Sequence, residues 1–227
     1  MKNTVAFLLF CFLMSSSLLR AQITRAEQEM LTPDDVIADL MAGNEKYITG
    51  KLTDGDIVSR IEASATGQHP KAVILSCLDS RVPVELVFNQ GIGDVFVGRV
   101  AGNIENGDQL GSMEFATKLS RAKLVMVLGH ERCGAISGAI NEVQLGNLTA
   151  LLEKIRPAIE TVEGFEVEDR VSANAAFVKA VTQQNVRLTV ENIRKGSPVL
   201  AELEKSGEIK IIGAMYDVQT GRVSLLD

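Results

Sequence analysis

Four short runs of apolar, mostly branched residues most constrain what this chain can fold into: Ala72-Val-Ile-Leu-Ser-Cys77, Asp94 to Val100, Lys123 to Gly129 and Lys210 to Tyr216. None of them alternates apolar with polar residues, so each predicts a strand covered on both faces, as in a parallel sheet. Helical patterns lie between them, at Gln109 to Leu119, Ala135 to Val143, Leu148 to Ile159 and about Asp169 to Arg194. Before the first strand, Thr32-Pro33-Asp34-Asp35 supplies an N-cap with proline at the first helical position, and Val36, Leu40 and Met41 continue at helical spacing to about Tyr47. After the last strand, Asp217 to Gly221 reads as a turn and Arg222-Val-Ser-Leu-Leu as a short antiparallel edge. Alternating strands and helices predict an α/β fold: a mostly parallel central sheet flanked by helices, with an antiparallel C-terminal edge.

The chain has 227 residues. It opens with Lys2, an apolar run from Val5 to Met14, and then Ser15 to Ala21, the order of a secretory signal peptide. The run is shorter than the roughly 20 residues that span a bilayer. Residues 1–21 are therefore read as a leader cleaved after Ala21, and residues 22–227 as a single catalytic domain of an exported protein, periplasmic or secreted, with no membrane anchor after cleavage. The leader holds Lys2 and Arg20 and no acid, so its removal takes the formal charge from −6 to −8. That acidity, without a basic run, argues against nucleic acid or an anionic membrane as partner.

Cys11 departs with the leader, which leaves Cys77 and Cys133. In an oxidising compartment such a pair reads by default as a disulfide. The surroundings favour a metal. The first strand ends in Cys77-Leu78-Asp79-Ser80-Arg81 and the third in Gly129-His130-Glu131-Arg132-Cys133-Gly134. The carboxyl ends of parallel strands are where sites form in open α/β sheets. Two thiolates and an imidazole suit zinc, and three protein ligands with one open position describe a catalytic rather than a structural site. The spacing His130-x-x-Cys133 puts two ligands where strand gives way to helix, with Cys133 near a helix N-terminus that favours its thiolate.

The pair C-x-D-S-R and H-x-x-C-G-A resembles the signature of beta-class carbonic anhydrases. The resemblance continues through Val82-Pro83 with Glu85-Leu86, Gly93-Asp94, Arg99 with Gly102-Asn103, and Tyr216-Asp217. It implies a zinc lyase that reversibly hydrates carbon dioxide to bicarbonate and a proton by attack of zinc-bound hydroxide. It also implies zinc on Cys77, His130 and Cys133, Asp79 as the acceptor that orients the hydroxide, and Arg81 as the partner that holds Asp79 off the metal. Without Arg81, Asp79 becomes a fourth ligand in a closed state. Gln68 matches a substrate-binding glutamine; it precedes its own strand and lies too far from its own zinc, so the resemblance has a neighbouring subunit supply it, in a homodimer or higher homo-oligomer. Phe96 and Ala101 match apolar pocket positions, and Gly134 a position of close backbone approach. The helix from residue 33 to 47 is expected to pack on the partner.

Phe115 lacks the hydroxyl that plant-type members carry there. Ile74 and Ser76 replace the tryptophan and glycine of an allosteric bicarbonate pocket, which argues against that regulation. His69 is read as a solvated loop residue rather than a proton shuttle, Gly91-Ile-Gly93 as no dinucleotide loop because Phe96 replaces the third glycine, and Met113, Met126 and Met215 as core filling. Hydrolysis of carbon disulfide or carbonyl sulfide on the same scaffold, and a non-catalytic zinc-binding or redox-active dithiol protein, are the competing functions.

Overall fold

Strand placement follows from the apolar runs. The computed structural model describes residues 22–53 and 57–226; the leader expected at 1–21 lies outside them. The strands are β1 (Ala72–Ser76), β2 (Val95–Arg99), β3 (Leu124–His130), β4 (Lys210–Tyr216) and β5 (Val223–Leu226). They form one sheet in the order β2-β1-β3-β4-β5. The first three pairings are parallel and β4 with β5 is antiparallel, as the sequence predicts. Every residue of β1 and β3 is buried, which is why those runs carry no alternation.

The helices are α1 (Arg25–Met30), α2 (Pro33–Ile48), α3 (Ile57–Ser64), α4 (Val84–Val87), α5 (Gly107–Glu114), α6 (Gly134–Ile140), α7 (Gly146–Glu153), α8 (Arg156–Thr161), α9 (Ala175–Gly196) and α10 (Pro198–Lys205). Successive strand residues point to opposite faces. Ala72, Ile74, Leu124, Met126 and Leu128 pack with Val36 and Leu40 of α2 and with Phe88. Val73, Leu75, Val125 and Val127 pack on the other face against Val186, Val190 and Ile193 of α9 and Leu200 of α10. Each fully buried aliphatic side chain of this kind contributes about 1.5–3 kcal/mol relative to exposure. Met113, Met126 and Met215 are all buried in these layers.

Several predicted helices differ in extent, for local reasons. The Leu148 to Ile159 pattern breaks into α7 and α8, because Pro157 lacks an N–H and its ring would meet the Glu153 carbonyl in a continuous helix. The long helix starts at Ala175, where Asn174 caps it by accepting from the Ala176 and Phe177 amides. The Gln109 to Leu119 pattern is α5 followed by a π-helical turn at Phe115–Leu119. Helix α10 lies beyond the predicted helices; Ser197 starts it by accepting from Leu200 N at 3.2 Å, with Pro198 at the first helical position.

Helix α2 begins as expected: the Thr32 hydroxyl accepts from the Asp35 amide while Asp35 accepts from the Thr32 amide. Its apolar side, however, is already occupied within its own chain. Val36 and Leu40 are fully buried, and Asn44 donates to the Val87 and Gly221 carbonyls and accepts from Val223 N. That buried face belongs to its own sheet, so a partner of the kind expected for this helix would have to meet its other side. Among the described residues no helix is long and apolar enough to cross a membrane.

Candidate metal centre

Because β1 and β3 are adjacent and parallel, with Ser76 level with Leu128, their carboxyl ends bring the two motifs together. Cys77 follows β1 directly. His130 is the last residue of β3, and Cys133 is the N-cap of α6. Arg132 turns the chain between them in the left-handed region, at φ 55°. All three ligand residues are buried, and one ligand atom from each lies within 4.8 Å of the others. Together with Ile104, Ile136, Ile155 and Phe177 the two cysteines form a third apolar cluster.

The donor set fits zinc on geometry. The Cys77 and Cys133 sulfurs are 3.9 Å apart and both cysteines are free. A disulfide requires about 2.05 Å, whereas two sulfurs at about 2.3 Å from one tetrahedral ion stand roughly 3.8 Å apart. His130 Nδ1 lies 2.9 Å from the Glu131 carbonyl, which fixes the proton on Nδ1 and leaves Nε2 as the free donor. Nε2 is buried and has no hydrogen-bond partner, as suits a nitrogen that would bind a metal.

The two sulfurs lie within hydrogen-bond reach of each other. The Cys133 thiol bonded to Cys77 draws the Cys77 pKa well below that of a free thiol, against the opposing effect of burial, with His130 and the Asp79 and Gly102 backbones adding to the fall. The same bond and burial push Cys133 up, while the Ala135 and Ile136 amides at the start of α6 pull the other way. A cation held by both sulfurs would require both as thiolates, so binding would release protons.

Asp79 stands beside the cluster rather than in it. Arg81 grips it in a fork, Nε to Oδ1 at 2.9 Å and Nη2 to Oδ2 at 2.7 Å, and the Arg81 backbone amide adds a third bond to Oδ1. These bonds, partly offset by burial, hold the carboxyl well below the usual carboxylate range. Asp79 Oδ2 is 3.8 Å from His130 Nε2, at the edge of the space the ligands enclose. Arg81 also donates to the Arg132 carbonyl at 3.2 Å, tying the two motif loops together.

A family model described as carbonic anhydrase matches residues 72–223. Carbonic anhydrase 2 of Mycobacterium tuberculosis (strain H37Rv) is 34% identical, over 83% of this chain and 90% of its own length. The chain belongs to the beta-class carbonic anhydrases. The carbonic anhydrase of Mycolicibacterium smegmatis is 32% identical over 82% of this anhydrase and 89% of its own chain. Among solved structures, the beta-carbonic anhydrase CafA of Aspergillus fumigatus aligns with a TM-score of 0.65 at 25% identity, covering 85% of this chain and 91% of that one. The tetrameric beta-carbonic anhydrases of Sordaria macrospora share the fold, with a TM-score of 0.65 at 21% identity over 85% of this chain and 97% of that one.

The remaining expected site residues of the anhydrase are scattered within one chain. Gln68 is exposed and lies before β1, so the whole strand separates it from Cys77. Phe96 sits on β2, level with Val73, in edge contact with Phe115 at 6.2 Å between ring centroids. Both rings line an open cavity of about 770 Å³ along the β2 edge, which includes none of the three ligands. Ala101 begins the 3₁₀ turn that ends at Asn103. Gly134 is exposed, and a Cβ there would meet nothing within 4 Å, so the expected close approach is not made by its own chain. His69 is half-buried with Nδ1 shut off and unpaired, which corrects the reading of a freely solvated residue. Ile74 is core, and the Ser76 hydroxyl is buried without a partner.

Sequence reasoning gave Arg99 no role. It ends β2, level with Ser76, and its guanidinium donates to the Cys77 carbonyl at 3.0 Å and the Asp79 carbonyl at 2.5 Å. Only the neighbouring-strand register puts it there.

Proposed function

We propose that this anhydrase holds zinc on Cys77, His130 and Cys133 and catalyses the reversible hydration of carbon dioxide to bicarbonate and a proton, with Asp79 and Arg81 as its other catalytic residues. The observation that carries the reading is the tight buried cluster, with its sulfurs 3.9 Å apart, next to a carboxylate that is forked by arginine instead of joining it. Zinc, when bound, supplies a Lewis acid that makes hydroxide available near neutral pH.

The protein's own residues do the rest. Ionised Asp79 is an acceptor only, so its Oδ2 orients the reacting oxygen by accepting its O–H and leaves the oxygen lone pair for carbon. Arg81 engages both carboxylate oxygens and keeps Asp79 out of the fourth ligand position, where it would close the site. Ile104, Ile136, Ile155 and Phe177 keep bulk water from the sulfurs, and low polarity there strengthens each electrostatic contact.

In this reading a second copy completes the site with Gln68, and the apolar pocket takes Phe96, Ala101 and Gly134. The half-exposed β2 strand and the exposed Ile57 and Ile61 of α3 favour assembly as at least a dimer, since an open edge and exposed apolar side chains mark interaction surfaces. Residues 1–21 as a leader would place the enzyme in the periplasm or outside the cell.

Stopped-flow carbon dioxide hydration across pH 6.5 to about 9, with zinc measured on the same sample, tests the function. Fast hydration with about one zinc per chain, lost on chelation, is the expected result. Zinc-loaded protein that hydrates no carbon dioxide at any of these pH values would overturn the reading and point to carbonyl sulfide or carbon disulfide. A zinc-free protein with Cys77 bonded to Cys133 would make it a dithiol protein.

A further inference from the structure

Helix α9 carries a buried amide where an aliphatic residue would serve the core better. Asn185 is 3% exposed, in line with Val181, Val186 and Val190 on the face that covers the sheet. Asparagine is a poor residue for a helix interior, and a buried amide is costly unless it is bonded. Its partner is specific: Nδ2 donates to the Gly102 carbonyl at 2.8 Å. The other side of that same residue faces the metal centre, where the Gly102 amide donates to Cys77 Sγ at 3.4 Å.

The turn between these two bonds has little freedom. Gly102 sits at φ +72°, and a Cβ there would lie 2.7 Å from Ile155 Cδ1. Asn103 is also left-handed, at φ 45°, and its amide bonds the Val100 carbonyl at 2.9 Å. A left-handed pair is not a conformation the chain favours by itself; a tether on the carbonyl is what keeps the N–H directed at sulfur. We propose that Asn185 is a positioning residue for the metal centre, which acts through Gly102 to hold an N–H on the Cys77 thiolate. Such a bond draws charge off the sulfur, so the thiolate donates less to its ion, and it orients the ligand before the ion arrives. The inference rests on the proposed ligand set.

The test is NMR of the full-length mature protein loaded with ¹¹³Cd. A hydrogen bond from an amide to a metal-bound sulfur carries scalar coupling between the amide proton and the cadmium, and the wild type is expected to show it at Gly102. In Asn185→Leu the coupling disappears, zinc affinity measured against a chromophoric chelator falls about tenfold to a hundredfold, and the sulfur-to-metal absorption of the cobalt form moves to longer wavelength. Asn185→Ala adds no bulk and carries the same expectation if the leucine variant does not fold. Val190→Ala, on the same buried face, lowers the melting temperature but leaves the coupling, the affinity and the cobalt band unchanged. Cadmium held on Cys77 and Cys133 without coupling at Gly102, or full coupling and affinity in the Asn185 variants, overturns the inference and leaves the ligand set standing. Wild-type protein that binds no cadmium overturns the ligand set and the inference together.

Discussion

The arm that carries Cys77 and the arm that carries His130 and Cys133 leave neighbouring strands of one sheet, yet different physics holds each. The second arm is built almost wholly from backbone. Strand β3 runs on to His130 itself, Arg132 makes a single left-handed turn, and Cys133 caps α6; a side-chain ion pair, Lys179 with Glu131 at 2.7 Å, only decorates it. The Cys77 arm has no regular structure from Cys77 to Pro83. Arginine side chains hold it: Arg99 on the Cys77 and Asp79 carbonyls, and Arg81 on the Asp79 carboxylate and across to Arg132. A centre made this way has one pair of candidate ligands preformed by secondary structure and the third, with the neighbouring Asp79 carboxylate, set by tertiary contacts.

Removing the ligands breaks both arms alike. Cys77→Ser and Cys133→Ser are each expected to lose bound zinc and all hydration above the metal-free background, by metal analysis and stopped-flow. The arms separate at the next level. Arg81→Ala frees Asp79 to enter the cluster, and the expected loss in kcat at pH 7 is about a hundredfold or more. Zinc content is kept, and activity recovers in part at high pH; unchanged kcat would mean the fork has no part in catalysis. A finer comparison sets Arg99→Ala against Arg132→Gly. The first removes both carbonyl bonds that set the Cys77 arm and is expected to weaken zinc binding by about tenfold. The second only relieves a left-handed non-glycine residue, so it should leave zinc affinity in place and change stability by no more than about 1 kcal/mol. Equal effects on zinc binding would erase the distinction between the arms.

The smallest effect is on stability against pH. Asp79 is held below its ordinary pKa, so its pairing contributes fully above about pH 4, its unfolded value, and is lost as pH falls through the lower folded value. Arg81 is half exposed, with 49% of its side chain accessible, so solvent limits the contribution to under about 1 kcal/mol. Metal-free Asp79→Asn should therefore melt slightly below the wild type at pH 7 and level with it well below pH 4; a gap that widens on acidification would reverse the sign.

How much of this was legible beforehand depended on range along the chain. The amino-acid sequence by itself determined the four parallel strands, although β2 stands half-exposed at the sheet edge rather than covered on both faces, the antiparallel end, and the two motifs that carry Cys77, Asp79 and Arg81 and His130 and Cys133. The strands and the Cys-His-Cys set follow from pattern and residue chemistry over a few residues, whereas the roles expected of Asp79 and Arg81 come from the resemblance of their motif to the family's. Helix ends set by one side chain, such as the break before Pro157 and the cap at Asn174, were within reach but outweighed by the longer periodic pattern. Only the tertiary structure decided that β1 lies against β3, so that two sulfurs stand 3.9 Å apart instead of bonding. It alone decided that α2 buries its apolar side in its own sheet, that Arg99 reaches the Cys77 arm from a neighbouring strand, and that Asn185 reaches the Gly102 turn beside it from a distant helix. Such contacts depend on sheet order and packing between segments far apart in the chain, and local composition carries no record of which segments will meet.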